Sequence, residues 1–556
     1  MSAIDELKQQ VIWNRLISVV NELAQTLVRT AFSPSTREAG DLSAGVFDIE
    51  GRMIAQAVTG TPGHVNTMAQ AVRHFLKPIP LETMSPGDVY VTNDPWLASG
   101  HLNDFTVVAP AFHKHKPVGL FAATVHVSDV GGLGVGIEAK DVHQEGLYVP
   151  IVRMMRAGTF DPMLEALVRS NVRDPVAVLG DLNALAVSTM AGCMALTRMF
   201  DEMGLEDLIE LSERIRRKSL EAMKAAISPL PKGVFSNSMT IDGVEAPLQL
   251  TACMTIEEDR ILVDWSGTSQ RSQFGINVPL CYTAAYTTYG IRCIVGSRVP
   301  NNEGSLSAIT VTAPEDCLLN APYPAPVAAR SMIGLMLPDV IMGCLAQVTP
   351  KAVQTESSSV LWNLRLSGGR GTPGIPVGED VNGPRFHITT FNAGGVGARS
   401  SKDGLAATAF PSGVRNVPLE VIESISPLVF WRKELRRDSG GAGRYRGGDG
   451  QTMEVGHVDE EPFVLNATFD RVENPARGYL GGNAGAPGRV YLSDGTPLRP
   501  KGRQLIPAGR RLVIDTPGGG GFEPARERDR PRIELDIAQE RISQDEAARI
   551  YRLGSV

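Results

Sequence analysis

A chain of 556 residues with net charge −7 and pI 5.8 carries no basic footprint, which argues against nucleic acid as a partner. Its 43% hydrophobic and 21% charged residues are those of an ordinary globular protein, long enough for roughly three or four domains. No uncharged apolar run approaches the ~20 residues of a membrane helix, and the acidic N-terminus lacks a secretory apolar core.

The six cysteines are scattered without a CxxC pair, and read as reduced core thiols of a cytoplasmic protein. The first element is a helix over 4–31, in which Ile12, Leu16, Val19, Leu23 and Leu27 form one apolar stripe and Ser33-Pro34 ends the run. A hairpin follows, with strands Leu42 to Phe47 and Arg52 to Gln56 around the turn at Asp48 to Gly51. Thr61-Pro-Gly-His64 turns into a helix from Val65 to Leu76. At least three helices lie between Met163 and Ile227, and Pro229 to Gly233 is the clearest boundary. Beyond it the period shifts towards two, predicting antiparallel strands, then an apolar helix from Met332 to Gln347 preceded by Arg330. A lone Arg there suits capping or surface use, with anion binding the alternative. The expected class is α+β and multidomain, with mixed helices, largely antiparallel sheets and a β-rich C-terminal part. The expected division is 1–230, 231–365, 366–525, and 526–556 as an exposed linker and short helix opened by Ser543-x-x-Glu546. The glycine clusters at 438–450, 480–488 and 516–524 lack a phosphate-loop pattern, so tight turns and close backbone packing are expected.

Chemistry concentrates between Gly87 and Gly136. Two strand-like runs, Val107 to Phe112 and Gly119 to Val127, are flanked by His101, Asp104 and His126. Two imidazoles and a hard carboxylate oxygen are what a divalent metal needs. Asn93-Asp94-Pro95 and Ser99-Gly100 turn the chain before His101, and Asp129-Val-Gly-Gly turns it after His126. Residue type alone leaves a solvated hairpin equally open.

The phrases NRLISVVNELAQTLVRTAFSPSTREAGDLSAGVFDIEGRMIAQ, PGDVYVTNDPWLASGHLNDFTVVAP, ATVHVSDVGG, QEGLYVP, GINVPL, NNEGS, APVAAR, SGGAGRYRGG and TPGGGGF stand in order between residues 14 and 522. Together they resemble the hydantoinase B/oxoprolinase family, which also contains subunits of ATP-dependent ketone carboxylases. The resemblance implies a metal set of Glu38, His101, Asp104 and His126, with Asp41 the substitute for Glu38. Members of the family often carry DPYxGGTHLPD where this chain has DPWLASGHLND, so a changed pocket shape around Trp96 is expected.

The same resemblance implies a hydantoinase A-type partner subunit that binds ATP and phosphorylates an amide oxygen. The present chain would then supply water on a divalent ion, Mn or Zn with Fe also admissible. His64, Asp94 and Asp129 are candidates for proton transfer or for supporting the ligands. The implied activity is hydrolysis of a small cyclic amide (hydantoin, 5-oxoproline or a similar lactam) within a hetero-oligomer. The alternative is a ketone carboxylase subunit of the acetone or acetophenone type. A third reading, a purely structural metal, fits poorly with oxygen-rich ligation.

Overall fold

The computed structural model describes residues 3–58, 61–376 and 381–552. The helix Ala3–Thr30 buries the expected stripe, with none of its five apolar residues more than 4% exposed. That stripe packs on the helix Pro175–Met203 and on the first sheet. Helices Pro162–Asn171, Pro175–Met203 and Ile209–Ile227 fill the region where three were expected. Among the described residues, Pro175–Met203 is the one helix long and apolar enough to cross a membrane. Its Leu182, Leu185, Leu196 and Phe200 are instead buried in the core beneath the first sheet.

That sheet has seven strands: β1 (Leu42–Phe47), β2 (Met53–Gln56), β3 (Val89–Thr92), β4 (Asp104–His113), β5 (Lys116–His126), β6 (Val152–Arg156) and β7 (Thr159–Phe160). Their order is β2-β1-β5-β4-β3-β6-β7, antiparallel throughout. Strands β4 and β5 form a hairpin whose two turn residues, Lys114 and His115, take φ of 48° and 65°. Such left-handed pairs match the twist of the flanking strands. β4 and β5 are buried along nearly their whole length, as continuous apolar runs require.

A second sheet joins Gly233–Ile241, Leu248–Ile256 and Ile261–Asp264 in antiparallel fashion, and adds Ile309–Thr312 parallel to the last. The helix expected over 332–347 is broken into Ser331–Gly334 and Leu337–Leu345, because Pro338 cannot donate in a continuous helix and instead occupies the first turn of the second piece. Two further four-stranded sheets follow. One contains Leu364–Gly368, the strand in which the expected boundary at 365 falls, and one buried cluster takes in residues from Ala39 to Ile514.

The glycine-rich stretches pack backbone on backbone. Gly441 donates to Gly519 (2.8 Å) and Gly519 to Gly448 (3.0 Å), and a side chain at Gly518 or Gly519 would strike the carbonyls of Ser439 and Val396. Most residues of the segment 526–532 are exposed, as expected of a linker, but one is an anchor. Arg528 is buried, and its guanidinium is shared by Asp403 (2.8 Å) and Asp536 (2.7 Å), which ties the segment to the β-rich part. Ser543 Oγ accepts from the Glu546 amide at 3.0 Å and opens the last helix, Gln544–Arg549.

Candidate metal centre

The open end of the β4–β5 hairpin is where the chemistry gathers. Asp104 is the first residue of β4 and His126 the last of β5, and the register sets them directly opposite. His101 stands one turn before Asp104, after Gly100 (φ 89°), where a side chain would also collide with the Arg330 stem. The ligating atoms of His101, Asp104 and His126 all lie within 4.8 Å of one another.

Asp104 is fully buried and uses its two oxygens differently. Oδ1 faces the metal-type ligands, 2.8 Å from His101 Nε2 and 3.0 Å from His126 Nδ1. Oδ2 faces two cations or potential cations, His64 Nε2 at 3.0 Å and the Arg330 guanidinium. Desolvation would raise the Asp104 pKa, but the groups facing it, the Arg330 guanidinium among them, outweigh it and hold the carboxyl well below its usual range.

The tautomer of His101 is fixed by its other nitrogen. Nδ1 lies 3.0 Å from the Ala328 carbonyl, an acceptor only, so Nδ1 carries the hydrogen. Burial, then the Arg330 charge, pushes the His101 pKa down to about 3, so the ring is neutral. Its Nε2 therefore points a bare lone pair at a carboxylate oxygen, and it is a buried nitrogen without a hydrogen-bond partner. Two acceptors facing each other at this distance are what a bound cation reconciles. The donor set of two imidazoles and a carboxylate fits a divalent ion.

The surroundings hold these groups in place. Glu145, 1% exposed, accepts from the amides of Val327 (2.5 Å) and Ala328 (2.8 Å), so it anchors the segment whose carbonyl orients His101. Burial pushes the Glu145 pKa up to about 8 despite those two amides. Arg330, 3% exposed, donates to the Ser99 carbonyl and stacks 4.0 Å from the Tyr282 ring centroid. The expected capping or surface Arg is thus a buried counter-charge, which no local pattern announced.

A cavity of about 50 Å³ opens beside the cluster, more than the ~10–15 Å³ a single water needs. Asp41, His64, His101 and His126 line one part of it. Asn363, Arg365, Phe391 and Ser412 line another, and the His126 and Phe391 ring centroids are 6.4 Å apart. Asp41 Oδ1 accepts from Thr61 Oγ1 at 3.3 Å and lies 3.6 Å from His64 Nδ1.

Among the residues singled out from sequence, the fold brings together His64, His101, Asp104 and His126, with Asp41. It does not bring Glu38 there. Glu38 closes the one-turn helix Pro34–Arg37, and its carboxylate is taken by the Arg37 guanidinium at 2.9 Å. Asp94 is also elsewhere, accepting from the Trp96 amide (2.8 Å) and the Tyr148 hydroxyl. Asp129 is occupied by the Gly131 amide (3.1 Å) and the Arg173 guanidinium (2.6 Å).

Mixed helices and stacked antiparallel sheets, with a buried His–Asp–His cluster at the mouth of a hairpin, define a protein class with known relatives. The hydantoinase B/oxoprolinase family model matches residues 5–524, and the chain belongs to that family. An uncharacterised protein of Methanocaldococcus jannaschii is 30% identical over 99% of this chain and 96% of its own length. A Pseudomonas protein named as one subunit of a putative D-/L-hydantoinase is 27% identical over 98% of this chain and 95% of its own. The 5-oxoprolinase of Dictyostelium discoideum is 25% identical over 93% of this chain, which spans only 40% of that longer protein. The fold matches the ATP-dependent caprolactamase of Pseudomonas jessenii (TM-score 0.90, 23% identity, 100% of this chain and 97% of that one). It also matches acetone carboxylase in its nucleotide-free structure (TM-score 0.86, 16% identity, 98% of this chain and 79% of that one).

Proposed function

We propose that this chain is the metal-bearing subunit of an ATP-dependent cyclic amidohydrolase. It opens a lactam or cyclic imide whose carbonyl oxygen has been phosphorylated with ATP held by a hydantoinase A-type partner. The observation that carries the reading is the convergence of His101 Nε2 (2.8 Å) and His126 Nδ1 (3.0 Å) on one oxygen of the buried Asp104, with His101 Nδ1 held by the Ala328 carbonyl.

A divalent ion at these atoms, Mn, Zn or Fe, would supply Lewis acidity and bring a water's pKa towards neutrality. His101, Asp104 and His126 are the ligands, and Asp41 is the carboxylate placed to join them. Arg330 keeps Asp104 ionised. His64 lines the cavity with Nδ1 unpaired, so it is the group to carry a proton to the departing ring nitrogen. An unstrained amide is a poor electrophile; phosphorylating its oxygen gives an imidate whose carbon takes up water. The C–N bond then breaks as the ring nitrogen is protonated, and the acyl phosphate left behind is hydrolysed by a second water to carboxylate and inorganic phosphate.

A relative named as one subunit of a hydantoinase supports a separate partner. The 5-oxoprolinases, of which this chain spans about two fifths, support an ATP-binding part outside it. The hydrolase reading is preferred over a ketone carboxylase because this chain covers the caprolactamase chain at 97% and the acetone carboxylase chain at only 79%. The six unpaired cysteines suit a reducing compartment, the cytoplasm in this reading.

The test is the purified chain with its hydantoinase A-type partner, ATP and Mn²⁺ or Zn²⁺, given hydantoin, 5-oxoproline or caprolactam. Ring-opened product formed with ADP, and lost in Asp104→Asn, is expected. Bicarbonate fixation onto acetone or acetophenone, without ring opening, would move the chain to the carboxylase branch. Unfolding on metal removal would mark the ion as structural.

A further inference from the structure

The cavity beside the cluster is also lined by a guanidinium that no carboxylate pairs with at ion-pair distance. Arg365 lies on the strand Leu364–Gly368, opposite Thr389 on one side and Asn466 on the other. Its side chain is 7% exposed and lines the cavity. Its one side-chain hydrogen bond goes to Thr468 Oγ1 at 3.3 Å, although a guanidinium has five N–H donors. Among the described residues it has no ion pair. Glu138 is the acid that acts on it, from outside ion-pair distance.

A buried arginine without a carboxylate is costly, and native structures rarely leave one. Burial pushes this guanidinium's pKa down to about 10. Two other residues that line the same cavity are also unsatisfied. Ser412 Oγ and Asn363 Oδ1 are both buried without a hydrogen-bond partner. A hydroxyl donor beside a cation suits an oxyanion, and the amide oxygen of Asn363 adds an acceptor for an N–H on the same molecule.

We propose that Arg365 and Ser412 form an oxyanion-binding subsite facing the His101–Asp104–His126 cluster, so that the molecule held there carries a carboxylate or phosphoryl group. This rests on the proposed function, because it names the class of substrate that the cluster acts upon. An oxyanion at Arg365 fixes one end of the molecule by a charge-assisted hydrogen bond and leaves its other end at the metal ligands. The two sources of that oxyanion are the substrate's own carboxylate and the phosphoryl group added during activation.

The experiment is calorimetric titration of the full chain, loaded with Mn²⁺, with inorganic phosphate and separately with acetate. At least one of the two should bind the parent. That binding should weaken about tenfold or more in Arg365→Met, the scale of a charge-assisted hydrogen bond, and be partly restored in Arg365→Lys. Manganese content, measured alongside, should be unchanged in both variants. Preference for phosphate identifies the activating phosphoryl group, and preference for acetate identifies a substrate carboxylate. Should Arg365→Met fail to fold, Ser412→Ala replaces it, with about a threefold to tenfold loss expected. Equal anion binding in parent and variants, or none in a manganese-loaded parent, overturns the subsite. A parent that binds the anion but holds no metal leaves the subsite standing and overturns the metal reading instead.

Discussion

Asp104 and His126 face each other across the first rung of the β4–β5 hairpin, with Oδ1 and Nδ1 3.0 Å apart. Their 22-residue separation in sequence is the length of the hairpin, so strand register sets the spacing of two ligands.

Replacing Asp104 by Asn should abolish tight metal binding. It should also destabilise the fold, because Arg330 is left as a buried cation without its carboxylate. Losing one member of a buried ion pair typically costs about 3–5 kcal/mol. Metal content by mass spectrometry and the urea midpoint of the metal-free protein would check the two effects separately. An unchanged midpoint would show that Arg330 finds another partner.

Glu145 acts on the metal ligands through the backbone. Glu145→Ala frees the Val327 and Ala328 amides, loosens the carbonyl that fixes the His101 tautomer, and should weaken metal affinity about 10–100-fold. Glu145→Gln keeps an acceptor for both amides and should retain most of the affinity. Titration with Co²⁺, followed by its visible bands, would distinguish the pair. Equal affinities in the two variants would remove Glu145 from this role.

Asp339 predicts a pH dependence. It is fully buried beside Glu356, and burial, opposed by Arg471, pushes its pKa up to about 7. The folded state therefore holds a proton that the unfolded chain releases near pH 4. Stability from this neutral form is complete below about pH 4 and is lost as pH rises through about 7. Glu145, pushed up to about 8, acts in the same direction. Urea unfolding should show lower stability at pH 8 than at pH 5. Asp339→Asn should shrink that difference by about 1 kcal/mol or more, since each pKa unit is worth about 1.4 kcal/mol.

Glycines in this chain serve two purposes that one pair of variants separates. Gly158 has φ 83° with no atom near a would-be side chain, so Gly158→Ala should cost about 1 kcal/mol. Gly519 would drive its side chain into the Val396 carbonyl, where backbone cannot yield. Gly519→Ala should lower the melting temperature by about 10 °C or more, or prevent folding. Similar small losses in both would show that the glycine-rich layers can spread.

The Ile12-to-Leu27 stripe was legible because one face of its helix is buried, and the two central strands because both of their faces are, which makes them continuous apolar runs. His101, Asp104 and His126 were legible because they sit at the ends of such strands. That Asp41 lines the cavity while the Glu38 carboxylate pairs with Arg37 was not, since both lie in an irregular stretch without period. What places Asp41 is its carbonyl, which accepts from the His126 amide at 3.2 Å, a contact no spacing encodes. Arg330 follows a proline-rich run that gives no hint of burial. Arg365 did carry a signal: in LWNLRLSG it alternates with leucines, and a charged residue there faces the opposite side of the strand. Its confinement comes from the layers packed over that side, and those are long-range. The break at Pro338 shows proline chemistry overriding an apolar run.

The His101 ring and the carbonyl that orients it are 227 residues apart in sequence. During synthesis His101, Asp104 and His126 emerge early, and their supports, Ala328 and Arg330, much later. A truncated product ending near Pro229 would possess every ligand yet lack the grip that aims them. A metal held by this cluster would thus report that the second half of the chain has folded.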